Sequence, residues 1–236
     1  METGSLVDDL VQFLGESANF PSSDGLPVLH ACAKAKRIDA ILELARRTPT
    51  FDPNISSLSY PHILHFYMEM SEEDQNTEVL NALLAIPTLD VNPYDTNGMT
   101  PLARAVDCKR PPIQFIERLL ADRRTLVDLC CQDGQTPLII ASRSGYSDII
   151  NMLIKAGADV NMPAPNGATA AFAAAVGGHS EALKLLIEKG ADLELWGQNA
   201  SLIDNLTSSI KEIVKDKGGF AILMTEDVNE NISYQK

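Results

Sequence analysis

Along most of the chain the apolar residues gather in short clusters with helical spacing, parted by turn residues, and neither strict alternation nor long apolar runs prevail. Between residues 131 and 194 one such arrangement occurs twice. Thr136 followed by Pro137 predicts a helix start, with a capping side chain beside a residue preorganised for the first turn. Leu138 and Ala141, then Gly145, describe a short helix ended by a residue free to take positive φ. Ile149, Ile150, Leu153 and Ile154 form the apolar stripe of a second helix, which Gly157 ends. Asp159-Val160-Asn161 leads into an extended connection, and Asn166-Gly167 is a turn dipeptide. Thr136 and Thr169, Gly145 and Gly178, Gly157 and Gly190, and Asp159 and Asp192 all stand 33 residues apart. A fixed period of that length signals stacked units, none able to bury its apolar face alone.

The same phrasing extends backwards in weaker form. Asn97-Gly98-Met99-Thr100-Pro101-Leu102 repeats the opening, and Phe115, Ile116, Leu119 and Leu120 repeat the second stripe. Leu64-His65 with Val79, Leu80, Leu83 and Leu84 forms an earlier copy without the Thr-Pro pair, with an acidic stretch from Glu69 to Glu78 between its helices. Leu29-His30 with Ile41 and Leu44 forms the first copy, and its closing Pro-Thr-Phe-Asp-Pro-Asn is echoed at 87–92. Ser5 ahead of Leu6, Val7, Leu10, Val11 and Leu14 predicts an amphipathic helix suited to close the array at its start. Ile203, Leu206, Ile210, Ile213 and Val214 predict another at its end, stopped by Gly218-Gly219. The expected organisation is an N-terminal capping helix (1–22), five repeats across 23–197 (23–58, 59–95, 96–131, 132–164 and 165–197), a C-terminal capping helix (198–217) and a partly disordered tail (218–236).

Gly-x-Thr-Pro-Leu at 134–138, Gly-Ala-Asp-Val-Asn at 157–161, Gly178-His179 and Gly190-Ala191-Asp192 resemble the ankyrin repeat. The resemblance implies an all-α solenoid of helix-turn-helix repeats with short β-hairpin-like fingers. It also implies a protein partner bound by the finger tips and the exposed side of the first helices. Carried onto this chain, the tip positions are Ser23, Asp24, Leu26, Leu58, Ser59, Pro61, Thr96, Asn97, Met99, Gln132, Asp133, Gln135, Pro165, Asn166 and Ala168. The helix-end positions are Lys34, Glu69, Met70, Asp107, Cys108, Arg143, Ser144 and Val176. Met99 and Arg143 are the expected anchors, an adaptable thioether and a guanidinium able to hold a partner's carboxylate. Leu84 to Asn92 and Leu153 to Asn161 both read Leu, five residues, Asp-Val-Asn. That resembles the sequence in which ankyrin asparagines are hydroxylated, making Asn92 and Asn161 candidate acceptors; the alternative is that they only cap the finger turn.

Charge narrows the partners. A net charge of −13 argues against nucleic acid and anionic membranes and points to a basic protein. No run of 18 apolar residues occurs, and no basic residue precedes an apolar core at the start, so neither a membrane span nor a secretory signal is expected. The four cysteines lack metal or disulfide-scaffold spacing and read as reduced thiols, with a redox pair at Cys130-Cys131 as the alternative. No Gly-rich phosphate loop, Gly-x-Ser-x-Gly or His-Glu-x-x-His is present. His62 and His65 stand three apart without a further ligand set, and the histidines read as structural. These features predict a non-catalytic interaction scaffold, monomeric when free and cytoplasmic, with no cofactor and no metal. Two alternatives remain: an ankyrin-repeat effector of an intracellular bacterium acting on a host protein in the host cytosol, and an enzyme with an unrecognised site.

Overall fold

The structure is a computed structural model that describes residues 27–47, 51–56, 61–70, 75–195 and 208–216. Among these residues lie eleven α-helices and no β-strand. They are α1 (Val28–Lys34), α2 (Ile38–Arg47), α3 (Ile63–Glu69), α4 (Thr77–Leu84), α5 (Pro101–Asp107), α6 (Ile113–Ala121), α7 (Pro137–Ser144), α8 (Ser147–Lys155), α9 (Ala170–Val176), α10 (Ser180–Glu188) and α11 (Ser208–Asp216). The expected N-terminal helix, the tail, the finger residues Ser23, Asp24, Leu26, Leu58 and Ser59, and the acidic residues Glu72, Glu73 and Asp74 lie outside the described residues. Glu69 and Glu78, read from sequence as parts of one acidic connection, are the last residue of α3 and a first-turn residue of α4.

Helices of seven to ten residues are too short to persist alone, so their stability comes from stacking. Two compact units result, Met1–Ala105 with Pro112–Thr125, and Val106–Pro111 with Leu126–Lys236. In the first, α1 packs on α3 and α2 on α4, which in turn packs on α6. In the second, α7 packs on α9 and α8 on α10, with α11 against α10. First helices therefore meet first helices and second meet second. Most of each expected stripe is buried, as at Ile41 and Leu44, Leu80 and Leu83, Ile116 and Leu119, and Ile150 and Leu153, while Leu84, Leu120 and Ile154 are half-buried. In α10 Leu183 and Leu186 are buried in the same way.

Local chemistry sets the helix starts. Thr100, Thr136 and Thr169 are buried, and their hydroxyl oxygens accept the N–H of Ala103, Ile139 and Phe172 at 3.2, 3.2 and 3.3 Å. The three later fingers are tight turns: Asp95 N–H donates to Met99 O at 2.9 Å, Cys131 N–H to Gln135 O at 2.9 Å, and Ala164 N–H to Ala168 O at 2.9 Å. These pairings are hairpin-like without forming strands.

A second set of bonds links neighbouring repeats through one recurring Asx position. In the first unit the Asn54 side chain donates to Thr88 O at 2.9 Å and accepts from Asp90 N–H at 2.7 Å, while Asn92 donates to Arg124 O at 2.8 Å. In the second, Asn161 donates to Gly190 O at 3.1 Å and accepts from Asp192 N–H at 2.8 Å. Asp128, whose carboxylate can only accept, takes Asp159 N–H at 3.0 Å. The sequence reading of Asn92 and Asn161 as caps of their own finger turn is thereby corrected: their amides reach the next repeat.

Candidate protein-binding surface

The first unit holds a groove of about 410 Å³ between the Tyr94–Asn97 finger, α3 and α5. Ser56, Pro61, His62, His65, Glu69, Tyr94, Asp95, Thr96, Asn97 and Arg104 line it. The finger wall is rigid, because Asp95 Oδ1 accepts the backbone N–H of both Asn97 and Met99 at 2.8 Å. His65 supports it from below, its Nε2 lying 3.1 Å from Met99 O. Tyr94 stands at the rim with 53% of its surface exposed. A groove with an amphipathic aromatic at its edge and polar groups of both signs on its walls suits a protein segment.

Of the positions expected from sequence to face a partner, Pro61, Glu69, Thr96 and Asn97 line this groove. Met99 is half-buried, and both its backbone N–H and its carbonyl serve the finger. Tyr94 and Arg104 were not among the expected binding residues. Tyr94 stands just ahead of the tip positions, and the heptapeptide Pro93–Met99 carries the signal that could have found it.

The second unit brings four of the expected residues together. Arg143 donates to Gln135 Oε1 at 2.5 Å and lies 3.4 Å from Asp107 Oδ1, and the Gln135 amide donates to Asp133 Oδ2 at 2.6 Å. Asp107 and Gln135 thus engage part of the Arg143 guanidinium, through one nitrogen each. Gln132 is exposed at the same finger and Ser144 half-buried at the end of α7, while Asn166 Oδ1 accepts Ala168 N–H at 3.1 Å in the next finger.

Reactive chemistry is poorly served. All four cysteines are unpaired by disulfides. Burial, with Asp133 and Asp107 nearby, pushes the Cys131 thiol up to about 11, and burial likewise raises Cys32 and Cys130. Among the described residues no three His, Cys, Asp or Glu side chains cluster as metal ligands, and no helix is long and apolar enough to cross a membrane. His62 has both ring nitrogens engaged within the protein, Nδ1 accepting Leu64 N–H at 3.3 Å and Nε2 lying 3.3 Å from Asn54 Oδ1.

Comparison with known proteins adds the decisive observation. A family profile described as ankyrin repeats (3 copies) matches residues 67–164, and a single ankyrin repeat profile matches 166–197, together more than half of the chain. The chain belongs to the ankyrin repeat family. Its relatives include the mouse neurogenic locus notch homolog protein 1, 36% identical over 98 residues, which is 42% of this chain and 4% of that protein. The human neurogenic locus notch homolog protein 4 is 40% identical over 68 residues, 29% of this chain and 3% of that one. This ankyrin chain thus spans only a few per cent of the length of the curated relatives it matches. The ankyrin repeat domain of Bcl-3, a member of the IkappaB family, superposes with a TM-score of 0.65 at 23% identity, covering 80% of this chain and 81% of that one. At that identity the likeness concerns the fold.

Proposed function

We propose that the chain is a protein-interaction scaffold that binds a partner along its finger turns and first-helix ends, with the groove beside Tyr94 as the main contact. The observation carrying this reading is the 410 Å³ groove, walled by a finger that Asp95 ties to the Asn97 and Met99 N–H groups and rimmed by an exposed tyrosine. Hot spots draw on such rigid aromatic anchors. Asn97, Met99, Gln132, Asp133, Gln135, Ser144 and Asn166 supply surrounding polar and adaptable contacts, and Asp107 with Arg143 supplies a charged pair that a partner can complement or exchange. The net charge of −13 supports a basic partner, and four disulfide-free cysteines support a reducing, cytosolic setting. The five-repeat division with caps at 1–22 and 198–217 and a tail from 218 is proposed with it; five helix pairs from α1 to α10 support the count.

The test begins with the full chain as bait and a captured protein identified by mass spectrometry. That protein is then titrated against Tyr94→Ala, Asn97→Ala and, on second-helix ends, Lys155→Ala and Lys189→Ala. Tyr94→Ala should weaken binding by about 1–3 kcal/mol, with the lysine variants unchanged. The opposite pattern would move the site off this groove.

Hydroxylation of Asn92 or Asn161 is proposed on the repeated Leu-x5-Asp-Val-Asn phrase. Its outcome is read as the addition of one oxygen to either peptide after incubation with a 2-oxoglutarate-dependent asparaginyl hydroxylase. Both amides are engaged with the next repeat, so reaction should be faster on the urea-loosened chain than on the folded one.

A further inference from the structure

Three of the four histidines lie in the first unit, and all three are bound as neutral rings. His62 is the N-cap of α3, at the position where later first helices carry Thr100, Thr136 and Thr169. Its Nδ1 accepts Leu64 N–H at 3.3 Å, and its Nε2 lies 3.3 Å from Asn54 Oδ1, the same oxygen that accepts Asp90 N–H. Only the tautomer with hydrogen on Nε2 satisfies both contacts. His30 and His65 place Nε2 at 2.8 Å from Pro61 O and 3.1 Å from Met99 O; a carbonyl only accepts, so Nε2 carries the hydrogen there too. Their Nδ1 atoms are buried with no hydrogen-bond partner. A second proton therefore has no place in the folded unit. At His62 it would confront an N–H, and at His30 and His65 it would be sealed away from any acceptor.

We propose that the first unit is an acid-sensitive element: proton uptake by His30, His62 and His65 removes the cap of α3, cuts its tie to Asn54 and opens the repeat that floors the groove, while the second unit stays folded. The charged groups facing these rings do not rescue the protonated form. Asp52 and Asp90 face His62, and Asp95 and Glu69 face His65, all favouring the cation; Arg104 and the neighbouring rings oppose it. Burial outweighs them in each case, lowering all three, and holds His62 at about 4 against an ordinary 6.5. The neutral ring is the folded form, so its stabilisation is complete above pH 6.5 and is lost as pH falls toward 4. Over that window the opening constant should rise by up to roughly tenfold per pH unit for each proton taken up. In the second unit Thr136 and Thr169 do not titrate as caps, and its one histidine, His179, is only half-buried.

Hydrogen exchange of the full chain tests this without any partner, with opening constants corrected for intrinsic exchange between pH 7.5 and 5. Peptides covering 61–70 should open progressively below pH 6.5 while those covering 137–155 hold, and His62→Thr should flatten the slope at 61–70. Parallel opening of both regions, or an unchanged slope in His62→Thr, would overturn the proposal. Should that variant fail to fold, the wild-type His62 ring is followed by NMR. Protonation near pH 6.5 with α3 amides still protected would equally refute it, whereas protonation only as those amides open supports it.

Discussion

Lys36 takes a φ of +55° just past the end of α1, the place where Gly145, at +73°, follows α7. Left-handed backbone costs an L side chain roughly 1–2 kcal/mol, so Lys36→Gly should stabilise the protein by about 1 kcal/mol in urea unfolding. Gly145→Ala should do the reverse and more, since a Cβ there would strike the His179 ring. Gly157, at +101°, has open space around its missing Cβ, so Gly157→Ala should carry the conformational penalty alone. Equal urea midpoints for the two glycine variants would remove His179 as the reason for the difference. Arg143→Ala should shift stability by under about 1 kcal/mol, because the pair with Asp107 is exposed on both sides (49% and 40%).

One side chain stands in for several backbone partners at the scale of the element. The carbonyls ending a helix lack intrahelical donors, and beyond α4 the Arg124 guanidinium supplies them. It donates to Leu84 O at 2.6 Å, Ile86 O at 2.9 Å and Leu89 O at 3.2 Å. Asp122 holds the fork in place through Nε at 3.0 Å and Nη2 at 2.6 Å, and this hydrogen bonding draws the Asp122 carboxyl below its ordinary range. A planar fork does what an ammonium cannot. Arg124→Lys should therefore destabilise the first unit by about 1–2 kcal/mol and Arg124→Ala by about 2–3 kcal/mol, read as thermal or urea midpoints. Wild-type stability in the lysine variant would reduce the clamp to a simple charge.

For the whole molecule the dominant field is the charge of −13. A long-range attraction to a basic partner would be screened over about 10 Å at 0.1 M salt, so it acts mainly on encounter. Raising salt from 50 to 500 mM should slow association of such a partner severalfold or more and leave dissociation nearly unchanged, as measured by stopped-flow mixing. A salt-independent association rate would argue for an apolar contact around Tyr94 as the whole of the recognition.

Periodicity carried most of the fold. The 33-residue offsets, the Thr-Pro starts and the Ile/Leu stripes required paired short helices that bury one face against neighbours, and α7 to α10 fall on those positions. These features are local, repeated at fixed intervals, and so visible in one dimension. Contacts reaching into another repeat were not visible. Asn54 bonding Thr88 and Asp90, Arg124 reaching back across 40 residues to Leu84, and Arg143 being held by Asp107 all depend on which side chains stacking brings within 3 or 4 Å. The binding surface divides the same way. Asn97 was legible because finger tips recur, but the groove beneath Tyr94 exists only where α3, α5 and the finger converge, and convergence in space leaves no fixed interval along the chain.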